Sequence, residues 1–305
     1  MITKRVSLVG KPAVGKTTIK KVIFEGEDPN ELVLFPLEAT IGIQYSVHEF
    51  MNMKISLIDT PGQSLPILLQ DEEKQITSFE NTGAIIYIFD YPTWITDSQA
   101  IIDDIQTIYK INKKHNFGSK IILFLHKVDL LIDKKIGSRL DLIGKQIYNQ
   151  LDLPEKFPIY FTSLHPNLIY TIYNAISDTI SNFSEDSSRL KEILKKLVEK
   201  TSKTICFVSN KEGNLIIQTS SLDFDTTTLY YLYEKIYHSI KTTEQPLFNS
   251  KFINAGPKLL YVIVEDINKF HPNFKNLLFF SEVLKENELN TLTNEVKKKL
   301  EQLYN

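Results

Sequence analysis

The chain has 305 residues, of which 42% are hydrophobic and 24% charged, and its formal net charge is −2. This composition indicates a globular protein of about two domains and argues against global disorder. Because there is no basic excess, nucleic acid is not expected as a partner.

One cysteine, Cys206, lies in an apolar stretch. A lone cysteine cannot form an internal disulfide, so we expect a buried thiol in a reducing compartment. The longest apolar runs, near 84–89 and 121–125, are far shorter than the ~20 residues of a transmembrane helix. We find neither a signal peptide nor a lipidation motif. We therefore expect a cytoplasmic protein, and any recruitment to a membrane would be peripheral and through partners.

The first motif follows a short apolar strand at 6–9 and precedes a helix whose apolar side begins at Ile19. Its spacing, Gly-x4-Gly-Lys-Thr, is the phosphate-binding loop (P-loop) pattern in its usual strand–loop–helix context. Glycines let successive N–H groups face an anion, and the helix adds the positive end of its dipole. An ordinary glycine turn that binds nothing is the alternative, which the full spacing disfavours. The residues predicted to bind nucleotide here are Gly10, Pro12, Ala13, Val14, Gly15, Lys16, Thr17 and Thr18.

Two of these side chains have predicted chemical roles. Lys16 is expected to reach the β- and γ-phosphates, and the Thr17 hydroxyl to ligate Mg²⁺. Thr40 lies in the segment between this helix and the next strands. Its hydroxyl either ligates the metal while a third phosphate is present, as part of a loop that orders and disorders, or Thr40 is simply a β-branched residue at the start of a strand. The spacing leaves both interpretations open.

A second motif ends the pair of strands predicted at 43–50 and 55–59, and it reads Asp59-Thr-Pro-Gly62-Gln63. An aspartate at a strand end beside a phosphate loop can hold Mg²⁺, through a water. Gly62 allows its N–H to approach a γ-phosphate closely, and the Gln63 amide can orient an attacking water. The alternative is an Asp-x-Pro-Gly turn without function.

Strands and helices then alternate along the chain. We predict helix at 65–80, strand at 84–90, helix at 95–114, strand at 120–125, helix at 136–151, strand at 159–163 and helix at 166–183. This alternation predicts an α/β domain with a mostly parallel sheet and helices on both faces. The motifs fall at the carboxyl ends of strands, where ligands bind in open α/β sheets.

A third motif, His126-Lys127-Val128-Asp129, follows the strand at 120–125. The Asp129 carboxylate can accept two hydrogen bonds from guanine, whereas adenine would leave it unpaired. The Lys127 stem can lie against the ring plane. A charged surface loop is the alternative. The predicted base site is completed after the next strand by Thr162, Ser163 and Leu164, with backbone N–H groups offered to the base carbonyl.

Together these stretches resemble the Ras superfamily of GTPases and, within it, the Rag/Gtr family of nutrient-signalling GTPases. The resemblance covers about residues 4–183. Most Ras-like proteins have asparagine at the position of His126, and histidine there is typical of Rag/Gtr proteins. The resemblance implies a switch that binds GTP or GDP with Mg²⁺ and hydrolyses GTP. Two features depart from the family pattern: Pro12 removes an N–H near the γ-phosphate, and Asp59-Thr-Pro-Gly is closer to general GTPases. The resemblance implies Thr17, Thr40 and Asp59 at the metal and Gln63, Lys16 and Thr40 in catalysis.

We predict a first domain at 1–184 and a second at 185–305, with 184–188 as a linker or helix cap. The predicted order of the second half is helix at 189–201, strands at 204–209 and 214–220, helix at 226–241, strands at 248–254, 258–266 and 276–281, and helix at 286–303. This α+β order resembles the roadblock/longin-type domain that Rag/Gtr proteins carry and through which they dimerise. The resemblance implies a homodimer or a heterodimer with a paralogue through residues 185–305. Activating, exchange and effector proteins are not identifiable from the sequence.

The expected function is a switch with slow intrinsic hydrolysis, on the order of 10⁻⁴–10⁻² s⁻¹. Three alternatives stay open: a nucleotide-stabilised dimeric scaffold with little or no hydrolysis, a P-loop ATPase or kinase, and an adaptor that acts only through its C-terminal domain. Gln63 argues against the scaffold and Asp129 against the ATPase.

Overall fold

The computed structural model describes residues 4–28, 32, 40–50, 53–131, 136–165, 168–181, 183, 185–211, 215–225, 228, 231–232, 235–236 and 251–304. The chain forms two compact units, Met1–Ala175 and Ile176–Asn305. Ser184, residues 212–214 and most of the helix predicted at 226–241 lie outside the described residues. The division predicted at 184/185 stays a prediction.

The first unit is an α/β structure built on a mostly parallel sheet, as the sequence predicted. The strand order is β2-β3-β1-β4-β5-β6; β2 pairs with β3 antiparallel, and the other neighbours are parallel. In β4 and β5 nearly every residue is buried. Since successive side chains of a strand point to opposite faces, both faces of the sheet are covered there. The strands are β1 Lys4–Val9, β2 Gln44–Phe50, β3 Met53–Asp59, β4 Thr82–Asp90, β5 Lys120–His126 and β6 Ile159–Phe161.

Two helices predicted as continuous are each broken at an aspartate. The helix predicted at 65–80 is interrupted at Asp71, which accepts a hydrogen bond from Lys74 N–H, and the one predicted at 95–114 at Asp97, which accepts from Ala100 N–H. Side-chain capping of this kind starts a new helix. The helices that begin in the first unit are α1 Lys16–Phe24, α2 Leu65–Gln70, α3 Glu72–Phe79, α4 Tyr91–Thr96, α5 Ser98–Lys114, α6 Ile136–Leu151 and α7 Tyr170–Ser181, and short 3₁₀ turns span Gly62–Ser64 and Val128–Leu131.

Helix α5 shows how the core fixes the sheet. Its isoleucines recur at helical spacing and are buried together with apolar residues of β4 and β5. This packing supports the carboxyl end of β5, from which the predicted His126-Lys127-Val128-Asp129 motif leaves. The buried isoleucines are Ile101, Ile102, Ile105, Ile108 and Ile111.

The second unit contains an antiparallel sheet of order β8-β7-β11-β10-β9. The sequence predicted a linker or helix cap at 184–188. For residues 185–188 this prediction is wrong, because they form the first turn of α8. The likeness to a roadblock/longin domain stays a prediction. The elements are α8 Glu185–Val198, β7 Thr204–Ser209, β8 Leu215–Ser220, β9 Phe252–Ala255, β10 Lys258–Asp266, β11 Asn276–Ser281 and α9 Glu286–Tyr304.

Helices α8 and α9 contact each other and the sheet. Leu190, Leu194 and Val198 are buried on α8, and Val296 and Leu300 on α9. Among the residues that the structure describes, no helix combines the length and the apolar character that crossing a bilayer requires.

Candidate functional site

The loop between β1 and α1 has a backbone that its glycines make possible. A Cβ on Gly10 would lie 2.1 Å from the Ile88 carbonyl oxygen, so no larger residue fits there. Gly15 has φ +97° and is the residue before α1, and Ala13 has φ +60°. Such positive φ values, close to one another in a loop that enters a helix, turn N–H groups toward a common centre. The loop therefore has the backbone of an anion site.

Lys16 is buried beside this loop, with 6% of its surface exposed. Its Nζ donates to the carbonyl oxygens of Gly10, at 2.9 Å, and Lys11, at 2.8 Å. Burial lowers the pKa of Lys16 to about 8, and the nearby Asp59 opposes that shift. A phosphate group brought to this ammonium would favour its charged form.

Three oxygen-bearing side chains from distant segments meet next to Lys16. Thr17 Oγ1 donates to Asp59 Oδ2 at 2.8 Å and lies 2.7 Å from Thr40 Oγ1. Asp59 is 1% exposed, and its Oδ1 has no hydrogen-bond partner. Burial raises the pKa of Asp59, against the lowering effect of the Thr17 hydrogen bond and of Lys16. The structure thus brings together the three residues predicted at the metal.

This oxygen set fits Mg²⁺. The ion prefers hard oxygen ligands and is held in phosphate sites by one or two protein carboxylates together with waters and phosphate oxygens. The orphaned, buried Asp59 Oδ1 is the kind of group that a cation or its water would satisfy. In the described part of the chain, no three His, Cys, Asp or Glu side chains gather as a metal site.

Gly62 touches the P-loop directly. A Cβ there would lie 2.5 Å from Pro12 N and 2.7 Å from the Lys11 carbonyl. The motif after β3 is therefore in direct contact with the P-loop. The next residue, Gln63, is exposed in the 3₁₀ turn, so its role toward an attacking water stays a prediction.

His126 ends β5 in a buried position, with 2% of its surface exposed. Its Nδ1 lies 3.0 Å from Thr162 Oγ1, and a Cβ on Gly15 would lie 3.0 Å from its Cδ2. Burial, with a smaller contribution from Lys127, lowers the pKa of His126 to about 4, and Asp129 opposes the shift. The ring is neutral at pH 7 and packs between the P-loop and the segment after β6.

The Asp129 carboxylate, which is predicted to recognise the base, is hydrogen-bonded by the segment that follows β6. Ser163 Oγ donates to Asp129 Oδ1 at 2.5 Å and accepts from His165 N–H at 2.9 Å. Thr171 Oγ1 accepts from Ser163 N–H at 3.0 Å. These bonds fix one oxygen of Asp129. Thr162 and Ser163 are fully buried and Leu164 half-buried.

Lys127 joins the P-loop to a residue that sequence reasoning missed. Its Nζ donates to the Ala13 carbonyl oxygen at 2.7 Å and to Asp90 Oδ2 at 2.8 Å. Asp90 Oδ1 accepts from Thr93 N–H at 2.9 Å and Thr93 Oγ1 at 2.5 Å. Burial alone would raise the pKa of Asp90, but the hydrogen bonds from Lys127 and Thr93 outweigh it and lower that pKa. The available signal was an aspartate at a strand end with proline two residues later, which is typical of a helix start.

Comparison with known proteins supports one family. The family model of the Gtr1/RagA G protein conserved region matches residues 5–240. Ras-related GTP-binding protein C of Mus musculus is 28% identical over 229 residues, which are 72% of this chain and 54% of that protein. Ras-related GTP-binding protein D of Mus musculus is 27% identical over 235 residues, 74% of this chain and 49% of that protein. The chain thus spans about half the length of these relatives.

A solved structure of the Arl6 BBS3 small GTPase from Trypanosoma brucei, with bound nucleotide analogue GppNp, aligns with a TM-score of 0.41 and 17% identity. The alignment covers 62% of this chain and 99% of that one.

Proposed function

Because the chain belongs to the Gtr1/RagA G protein family of Ras-superfamily GTPases, we propose that it is a Mg²⁺-dependent molecular switch that binds GTP and hydrolyses it slowly. The observation that carries this proposal is the meeting of Thr17, Thr40 and Asp59 beside the buried Lys16. A phosphate loop with an adjacent set of hard oxygen ligands is the machinery of phosphoryl transfer.

Each residue of the site has a distinct role in binding or hydrolysis. The P-loop backbone and Lys16 bind the β- and γ-phosphates, while Thr17 and Asp59 hold the metal. Mg²⁺, when bound, neutralises charge that develops on the phosphate oxygens. Thr40 joins this set from a separate segment, so its position reports whether the third phosphate is present. Gln63 orients the attacking water.

Asp129 selects the base. A carboxylate accepts from both N1–H and the 2-amino group of guanine, and adenine offers no such pair. The hydrogen bond from Ser163 Oγ holds Asp129 in one orientation, so less freedom is lost when the base binds. The expected preference for guanine is tested by competing unlabelled ATP and GTP against bound GDP; displacement by ATP at equal concentration would favour an ATPase instead.

Slow hydrolysis follows from the electrostatics. Arg5 donates to the Glu80 carbonyl oxygen at 2.9 Å, and the sequence offers no arginine that can be assigned as a catalytic finger. An arginine beside the γ-phosphate accelerates hydrolysis by roughly 10³–10⁵-fold. We therefore expect turnover on the order of 10⁻⁴–10⁻² s⁻¹ for the purified protein, and turnover above about 1 s⁻¹ would contradict the proposal.

A nucleotide-stabilised scaffold is the second candidate, and the exposure of Gln63 favours it. Single-turnover phosphate release from preloaded GTP distinguishes the two. We expect slow release by the wild type, loss of release in Gln63→Leu, and wild-type release in Gln70→Leu, which changes an equally exposed glutamine on α2. Nucleotide retained without any phosphate release by the wild type would support the scaffold.

We also propose that residues 185–305 mediate dimerisation, with a second copy or a paralogue. Support comes from apolar side chains left exposed on β9 and β10, the last two strands at one side of the second sheet: Phe252 at 40% and Leu259 at 56%. The strand register places both on one face. Light scattering of the full chain tests this: Leu259→Asp should lower the mass to that of a monomer, whereas Leu222→Asp, at a 93% exposed position outside the strands, should not.

A further inference from the structure

The Lys127 ammonium connects three segments of the first unit. Lys127 follows β5, its Nζ donates to Ala13 O in the P-loop at 2.7 Å, and it donates to Asp90 Oδ2 at the end of β4 at 2.8 Å. Lys127 has φ +59° and Ala13 φ +60°. Residues with side chains rarely adopt these angles and keep them only where surrounding contacts hold the backbone. The Nζ–carbonyl bond joins these two unusual residues directly.

Asp90 is the fixed end of this connection. It is 6% exposed, and its second oxygen, Oδ1, accepts from both the N–H and the hydroxyl of Thr93. The start of α4 thereby fixes the carboxylate. A buried carboxylate cannot exchange its partner for water at little cost, so Lys127 is held in place where it can reach Ala13.

A second lysine–aspartate pair in the same region provides a natural contrast. Lys11 Nζ lies 3.3 Å from Asp97 Oδ2, and Asp97 also accepts from Ala100 N–H at the start of α5. The chemistry matches that of Asp90, but the two side chains are 25% and 55% exposed. Exposed pairs of this kind contribute little.

We propose that Asp90 is a positioning residue for nucleotide retention: its carboxylate holds Lys127, and Lys127 in turn holds the P-loop closed at the Ala13 carbonyl. Loss of the carboxylate frees Lys127, lets the Ala13 peptide turn, and speeds the release of GDP and GTP alike, because the P-loop binds the phosphates common to both. The inference rests on the proposed guanine-nucleotide site.

The test is the rate at which a fluorescent GDP analogue leaves the preloaded full chain, with Mg²⁺ and excess unlabelled GDP. Asp90→Asn keeps the shape and an acceptor for Thr93 but removes the charge. We expect it to release the analogue at least about tenfold faster, which corresponds to about 1.4 kcal/mol. Asp97→Asn, the exposed counterpart, should stay within about twofold of the wild type.

A double-mutant cycle separates positioning from general stability. If Asp90 acts through Lys127, Asp90→Asn combined with Lys127→Gln should release nucleotide no faster than the faster single variant. Accelerations that multiply would overturn the inference. If Asp90→Asn does not fold, Lys127→Gln alone must accelerate release about tenfold, and release at the wild-type rate would overturn it.

The outcome also distinguishes this inference from the function on which it rests. A wild-type protein that binds no guanine nucleotide would overturn both. A wild-type protein that retains the analogue, with Asp90→Asn releasing it at the same rate, would overturn the inference and leave the proposed function in place.

Discussion

Acidification should destabilise the first unit through His126. The ring is 2% exposed and packs between Thr162 and Gly15. Charged groups around it have opposing effects: Lys127 disfavours the imidazolium, whereas Asp129 and Asp90 favour it. Burial outweighs them all and lowers the pKa of His126 from its ordinary 6.5 to about 4.

The sign and size of the effect follow from linkage. Between pH 6.5 and 4 the unfolded chain binds a proton at this histidine and the folded chain does not. The free energy of unfolding therefore falls as the pH is lowered through this window. The whole difference is worth about 3 kcal/mol at ~1.36 kcal/mol per pH unit, and about 2 kcal/mol of it is lost between pH 7 and pH 5.

Urea unfolding followed by tryptophan fluorescence measures this directly, since the single tryptophan, Trp94, is buried in the first unit. The comparison protein is His126→Asn, which cannot titrate in this range. The loss of stability from pH 7 to pH 5 should be about 2 kcal/mol larger in the wild type than in the variant. Equal losses in the two proteins would refute the assignment, because all other titrating groups are shared.

Three further predictions concern the P-loop and its surroundings. Gly62→Ala places a methyl group 2.5 Å from Pro12 N and should lower nucleotide affinity at least about tenfold by equilibrium titration; Gly144→Ala, whose Cβ meets only Phe161 Cζ at 3.6 Å, should leave affinity unchanged. Asp59→Asn should bring the ratio of GDP release rates in EDTA and in Mg²⁺ close to one, and an unchanged ratio would exclude Asp59 from the metal site. Lys16→Met should abolish binding yet stabilise the nucleotide-free protein at pH 7 by up to about 3 kcal/mol in urea unfolding, because the buried ammonium is gone; a less stable variant would contradict this.

The sequence predicted those parts of the fold and site that contiguous residues determine. Strand, glycine loop and helix follow one another within twenty residues around Gly10 and Gly15, so local chemistry alone predicts the P-loop. The alternation of strands with helices is also a local pattern, and it predicted the parallel sheet. Thr40 was ambiguous because its contact with Thr17 spans 23 positions and no periodicity encodes such a distance.

The missed features have a common physical origin. Asp71 and Asp97 each satisfy N–H groups at a helix start, and this local hydrogen bonding divides segments whose apolar pattern continues across the break. Asp90 was interpreted as the end of a strand and was given no role in the site. It also caps α4, and its pairing with Lys127 spans 37 positions, so its place in the site follows only from the folded sheet.

Burial disfavours the charged forms of Asp90, Lys16 and Asp59 alike, and the three groups differ in whether the protein itself offsets this effect. The pKa of Asp90 is lowered, so its charge is already stabilised by Lys127 and Thr93. The pKa of Lys16 is lowered and that of Asp59 raised, both chiefly by burial, so the protein alone disfavours the charged form of each. A phosphate at Lys16 and a divalent cation at Asp59 would each favour that charged form. Asp90 thus belongs to the framework, whereas Lys16 and Asp59 have the electrostatics of groups whose partners arrive with the ligand.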